Sequence, residues 1–316
     1  MSLWTDPRIR TLFSNKLLEN LRAAHVWETG FNRNYLGEIK GKGSTVKIFS
    51  FGTDPTINSY TVPSSALSSQ LITYQRIKPT GQELTIDQDK DWAIAEDEIE
   101  EMLTNPDSFD ALAQNAGWAA TDIIDRHLAT VINASATSAG ITGSGTNSAP
   151  IVGHGASDDA TAYGIVERML EAMKNNSVPG MDIHIYFPNW FMTMLRLDLR
   201  MSGFNTDNAR KTARGEEIHE LAGFTLHETI NSLDGAGTAF KTQPDSNSQN
   251  RIYAVWRGAA TYAPFMEPGS MTNIIPAEQN VLSHDNLMRS RFLWGAKVTD
   301  ARGVLYQVVQ RGSYEP

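Results

Sequence analysis

The sequence predicts an α+β protein, and three stretches carry that prediction. Residues 106–134 read as one long alanine-rich helix. Residues 158–229 alternate helix and strand patterns, and residues 37–83 read as an extended polar hairpin. Long helices, alternating α/β and strands without crossover helices together describe a mixed fold of more than one layer.

Bulk composition sets the frame. The 316 residues are 41% hydrophobic and 20% charged, which describes a chain able to bury a core. There is no cysteine, which excludes disulfides, thiolate catalysis and zinc–thiolate sites. The opening "MSLWTDPRIRTLF" carries charge before any apolar run, unlike a secretory signal. No window approaches ~18 uninterrupted apolar residues, so no membrane span is expected.

The net charge of −9 is unevenly spread. Arg8, Arg10, Lys16, Arg22, Arg33, Lys40, Lys42 and Lys47 make the first part basic, while Lys90 and Arg126 stand almost alone among the carboxylates of 87–125. An acidic protein does not coat nucleic acid by charge alone. The basic and acidic stretches either attract each other between copies of the chain or form two solvated faces.

The elements follow in order. Residues 7–24 read as a helix, with Asp6 as cap, Pro7 in the first turn and a stripe of Ile9, Leu12, Phe13, Leu17 and Leu21. "STVKIFSFG" and "LITYQRIKP" alternate as strands around a polar, Pro- and Ser-bearing tip. This hairpin has too few large apolar residues for a core of its own, so it rests on something else or stays a surface loop. A strand at 84–94 and a short acidic helix at 95–103 come next. Asn105-Pro106-Asp107 then starts the long helix, roughly 42 Å at ~1.5 Å per residue. Phe109, Leu112, Ala116, Ala119, Ile123, His127 and Val131 are expected on its inner face, with His127 as a hydrogen-bonded packing residue.

Residues 134–157 form a small-residue linker, and their "GSGTNS" lacks the lysine and following helix of a phosphate-binding loop. A helix over 158–176, capped by Ser157, presents Tyr163, Val166, Leu170 and Met173. The strand "DIHIYFP", a helix from Asn189, the strand "FTLHETI", a polar excursion and the strand "RIYAVW" follow. "FLWGAKVTDARGVLYQVVQRG" reads as two closing strands joined by a turn at Asp300–Gly303. No repeat of fixed period is present.

The chemistry-bearing patterns are few. Asp87, Asp89, Asp91 and Glu98 occupy positions one, three, five and twelve of a calcium loop. Position six, which needs glycine for its turn, is Trp92, and the entry is a strand rather than a helix. The simpler reading puts Asp87, Asp89 and Asp91 on the solvent side of one strand, where like charges repel and cations of another subunit would ease them. The seven histidines are scattered, with no zinc-helix spacing. There is no nucleophile elbow and no dinucleotide fingerprint. No catalytic, cofactor-binding or metal residues are assigned.

The phrases "QELTIDQDKDWAIAEDEIEEM", "MDIHIYFPNWFMTML", "ELAGFTLHETINSL" and "RFLWGAKVTDARGVLYQV", in this order, resemble the major capsid protein of tailed double-stranded DNA bacteriophages. That shell fold is shared with herpesviruses and encapsulins. The resemblance covers nearly the whole chain. It implies an N-terminal arm (1–36), an extended loop (37–83), and a peripheral domain (84–135 with spine helix 106–134, plus return strands 276–316). It also implies an axial α/β domain (136–275). Family members form pentamers and hexamers of an icosahedral capsid around packaged DNA, and the extended loop lies across a neighbouring subunit. The implied partners are the chain itself, a separate scaffolding protein, a portal and a decoration protein. DNA would be enclosed without sequence-specific binding, in a virion assembled in the host cytoplasm, with no cofactor and no membrane. The chain has no long charged helical extension ahead of the arm, so no large N-terminal segment is expected to be cleaved. The lysine–asparagine cross-link of some relatives is not carried over. Arg33, Lys47, Lys78, Asp87, Asp89 and Asp91 are the candidate assembly contacts. The alternatives are an encapsulin-like nanocompartment shell and a metal-dependent enzyme using the acids of 87–98.

Overall fold

The computed structural model describes residues 25–34, 45–50, 55–59, 74–97, 108–141, 151, 161–198, 218–241, 249–266, 273–279 and 285–312. The expected helix at 7–24 and most of the expected acidic helix lie outside them. Two sheets form the body. In the smaller, β3 (Gln88–Asp97) and β10 (Asn273–Ile275) flank β11 (Asp285–Val298), and β9 (Ala260–Met266) also pairs with β11. The larger has the order β4 (Thr137–Ser138), β12 (Val304–Gln310), β8 (Gln249–Trp256), β5 (Ile183–Pro188), β7 (Phe224–Thr229), β6 (Glu220–Leu221). β5 runs parallel to β7 and β4 parallel to β12, while the remaining pairs are antiparallel.

The strand β5 explains the layering. Every residue of "IHIYFP" is buried, as befits a strand covered on both faces. Ile183, Ile185 and Phe187 pack with α2 (Ala162–Asn175) and α3 (Asn189–Leu197), through Val166, Met169, Phe191 and Leu195. Tyr186 points the other way, into a core shared with α1 (Ser108–Ser135) and the smaller sheet, built from Ile124, Leu128, Ile132, Tyr253, Phe292 and Trp294. That second core also holds Trp27 and Phe31, both essentially inaccessible to solvent.

Several expectations are corrected. The strand expected at 84–94 is two strands, β2 (Thr80–Thr85) and β3, broken at Ile86–Asp87. The acids at 96 and 97 are strand rather than helix, because β11 pairs along β3 to Asp285↔Asp97. The hairpin's return strand is β2, which pairs with β1 (Thr45–Ser50), whereas 74–79 of "LITYQRIKP" are irregular. The inner face of α1 is Ala120, Ile124, Leu128 and Ile132, and Ala119 and Ile123 are exposed. The helix is rotated by about one residue because Asp122 and Asp125, apparently surface residues, are buried in partnered sites. α2 is capped by Thr161, whose hydroxyl accepts from Gly164 N at 3.2 Å, so Ser157 is not its cap. The turn at Asp300–Gly303 exists, but β11 and β12 diverge into different sheets instead of forming a hairpin. β9, which the sequence reading passed over, lies with β11, and β12 lies with β5 and β8, so the sheets do not divide at 275/276.

Candidate assembly surfaces

The acidic strand finds its counter-charge within the chain. Arg291 stands opposite Asp91 in the β3–β11 register, and its Nε donates to Asp89 Oδ1 at 2.8 Å while Nη2 bonds Oδ2. The bidentate pair holds the Arg291 guanidinium more firmly protonated, with Asp91 adding to the field. Asp91 is exposed, and Asp87 is exposed at the break between β2 and β3. Trp92 and Ile94 alternate with these acids and turn partly inward. An extended strand of this kind does not wrap a cation, and Asp89 is engaged by a guanidinium. The metal-enzyme reading therefore finds no support in the part of 87–98 that is described, and Glu98 lies outside it.

Two of the basic candidates are also matched locally. Arg33 pairs with Glu28 and lies over the Tyr262 ring at 5.6 Å. Lys47 faces Glu83 across the β1–β2 ladder at 3.7 Å, both exposed. Lys78 is exposed on the segment leading into β2. The structure thus gathers Asp89 and Asp91 around Arg291 and does not show Arg33 meeting them.

The extended loop shows two kinds of surface. At its base, Val46, Ile48 and Leu84 pack on Ala263. Farther out, the Gln75 side chain accepts from Thr56 N at 2.9 Å and donates to Thr56 O at 3.0 Å, pinning the two limbs together. Phe49 is 66%, Ile57 94% and Tyr74 88% exposed. Apolar side chains this bare, on limbs pinned to each other, point away from the chain's own core.

A second site was missed by the sequence reading: the seat of residues 25–34. A 3₁₀ turn, Trp27–Gly30, places the Trp27 indole flat on Tyr186, with centroids 4.3 Å apart and 11° between planes. Asp125 Oδ1 accepts from Val26 N at 3.1 Å and Trp27 N at 2.9 Å, and its Oδ2 accepts from Asn231 Nδ2 at 2.8 Å. Burial pushes the Asp125 carboxyl up, against these hydrogen bonds and the nearby His25, which pull it down. The ring column continues from Tyr186 to His227 and on to His184. His184 Nδ1 and His227 Nε2 share a hydrogen bond of 2.9 Å, and Thr29 Oγ1 lies 3.3 Å from His227 Nε2. Burial, with His184 and His219 nearby, lowers His227 to about 4. The signal available in sequence was the apolar pair in "VWETGF", Trp27 and Phe31, four residues apart among polar neighbours. His127 is a packing residue as expected: Trp294 Nε1 donates to its Nδ1 at 3.0 Å, and burial lowers its pKa.

Residues 82–307 match the phage capsid protein family. The fold is similar to a structure from Mycobacterium phage Che8, with TM-score 0.70 and 20% identity over 94% of this chain and 96% of that one. It is similar to the capsid structure of cyanophage P-SCSP1u, with TM-score 0.70 and 17% identity over 96% of this chain and 94% of that one. The capsid of Ralstonia phage GP4 aligns over 99% of this chain and 98% of that one, with TM-score 0.58 and 14% identity. No curated protein matches.

Proposed function

The chain belongs to the phage capsid protein family and is a structural, shell-forming protein of the virion, and from that premise we propose how it builds the shell. Copies assemble as pentamers and hexamers into an icosahedral capsid around packaged double-stranded DNA, in the host cytoplasm, with a separate scaffolding protein, a portal and a decoration protein. The extended loop at 37–83 crosses onto a neighbouring subunit. Residues 84–135 with β9, β10 and β11 act as the peripheral domain, and the sheet of β4, β12, β8, β5, β7 and β6 with α2 and α3 acts as the axial domain. Arg33, Lys47, Lys78, Asp87 and Asp91 serve as rim charges, with Asp89 held in place by Arg291.

The observation that carries this reading is the exposure of Phe49, Ile57 and Tyr74 on a loop whose packed residues, among those described, lie at its base. An apolar surface of this kind gains from burial by another copy, at about 25 cal/mol per Å² before the costs of association. Heterologous contacts of this sort close into rings and shells when the rotation permits.

Electron microscopy of the expressed protein tests the reading. Closed shells, tubes or hexameric rings are expected, and the contents separate a DNA-filled phage head from a cargo-filled nanocompartment. A stable monomer or dimer under all conditions would overturn it. Ile57→Asp combined with Tyr74→Asp is expected to abolish particles while leaving the subunit's melting temperature unchanged. Normal particles from that variant would refute the loop's role. Salt-sensitive nanomolar binding of duplex DNA to free subunits would contradict passive enclosure of the genome.

A further inference from the structure

The hairpin β1–β2 leaves the body over one face of β11, and two alternate residues of that strand, with the residue just past its end, meet it. At position 295 the strand carries no side chain, and a Cβ there would overlap the Thr85 carbonyl oxygen and stand 3.1 Å from Ile86 Cα. The two backbones are therefore in direct contact. Two residues on, Lys297 reaches across with its whole side chain, Nζ donating to Glu83 O at 2.9 Å. Two residues farther, Thr299 O accepts from Gln82 Nε2 at 2.8 Å. Residues i and i+2 of a strand share one face, as Gly295 and Lys297 do, whereas Thr299 follows the strand's last residue and contributes its backbone carbonyl. Along that face the gap opens from backbone contact to the length of a lysine within two residues. The neighbouring strand adds Ala263, the partner of Gly295 in the β9–β11 register and the floor under Val46, Ile48 and Leu84. β3 pairs with β11 only as far as Trp294↔Gln88, so the chain rises off the sheet beside Gly295.

We propose that Gly295 is the fulcrum, and Lys297 the strut, that fix the angle at which the extended loop leaves the body. Gly295 is a positioning residue: it acts through the hairpin it touches and determines where Ile57 and Tyr74 arrive. The consequence for assembly rests on the loop's role proposed above, whereas the angle itself does not.

The absence of cysteine allows the angle to be measured directly. Spin labels at Arg76→Cys and Thr130→Cys, both exposed, report the loop-to-body distance in labelled subunits diluted into unlabelled ones. In Gly295→Ala, restoring ordinary contact needs a shift of about 1 Å at the fulcrum. Over a strut spacing of about 7 Å this tilts the hairpin by about 9°, carrying Arg76 about 3–5 Å at ~3.3 Å per residue. Lys297→Met is expected to leave the mean distance near its starting value and to broaden the distribution. An unchanged distance and width in both variants would overturn the fulcrum, whatever the particles do. With the distance shifted, the expected companion result is misshapen or mis-sized particles from Gly295→Ala, at a melting temperature that still gives folded subunits. A shifted distance with wild-type particles would instead overturn the link between launch angle and assembly. The Ile57 and Tyr74 variants test the loop contact separately.

Discussion

Truncating Trp27 to alanine tests whether residues 25–34 are part of the core or a strap laid over it. The indole is fully buried, stacked on Tyr186, and edge-on to Tyr253 at 5.5 Å and 68°. Its Nε1 donates to Asn231 O at 3.3 Å. Removing a buried tryptophan costs about 3–5 kcal/mol. Of this, the aromatic geometry accounts for about 1 kcal/mol. The orphaned Asn231 carbonyl accounts for about 1 kcal/mol more. For a chain of this size the urea slope is about 3 kcal/mol/M, so the midpoint should fall by about 1–1.7 M. The assay is urea unfolding followed by far-UV circular dichroism on subunits kept below the assembly concentration, since assembly would add stability by mass action. Trp27→Phe, which keeps a ring on Tyr186 but loses the N–H, should lose less than half as much. Arg33→Ala, on the same segment but half-exposed, should stay within about 0.5 kcal/mol. A midpoint for Trp27→Ala within about 0.3 M of wild type would mean that the segment peels away without the body noticing, and the reasoning would fail.

Four further outcomes are expected. His227 binds its proton less readily folded than unfolded, so its contribution to stability is complete above pH 6.5 and is lost as pH falls toward about 4. The gross loss is about 3 kcal/mol, which partial exposure of the ring reduces to about 1–2 kcal/mol. His227→Gln should flatten the pH dependence of the urea midpoint across that window, and an unaltered slope would count against the assignment. Asp182 and Arg257 beside His184, together with His219, stay in place in that comparison. Asp125→Ala leaves the amides of Val26 and Trp27 without their acceptor and should cost about 3 kcal/mol in the same unfolding assay. Arg33→Glu and Asp89→Lys should act independently on assembly yield, because each residue already has a partner in its own chain. A coupling in the double variant would restore the arm-to-strand attraction between subunits. Titration calorimetry with calcium, magnesium and manganese should show no saturable heat at the acidic strand.

What could be read from sequence was what local pattern decides. β5, α3, β7 and β8 lie where alternation, proline and glycine put them, and the long helix spans nearly its predicted length. Readings that needed a partner strand or a partner face went astray. The acids at 96 and 97 look helical in isolation, and only the pairing with β11 makes them strand. The face of α1 was misjudged because Asp122 and Asp125 count as surface residues until Asn231 and the amides of Val26 and Trp27 satisfy them. β11 and β12 look like a hairpin because a turn joins them, yet each finds a better partner far back in the chain. The acidic stretch finds its partner in Arg291, which lies roughly two hundred residues away, so no local spacing could reveal it.

The parting of β11 and β12 has a kinetic side. Among the described residues, the strands with which they pair all precede them: β3, β9 and β10 for β11, and β4 and β8 for β12. Register pairs such as Trp294↔Gln88 and Leu305↔Thr137 give the fold a high contact order. During synthesis, β3 and β8 emerge with open edges and wait for the strands that cover them. Neither sheet is complete until the last two strands arrive, and Gly295 and Lys297 arrive with them. A nascent chain therefore has no properly launched loop. On the loop role and launch angle proposed above, subunits would become competent to join one another only once they are whole, which would keep unfinished chains out of the growing shell.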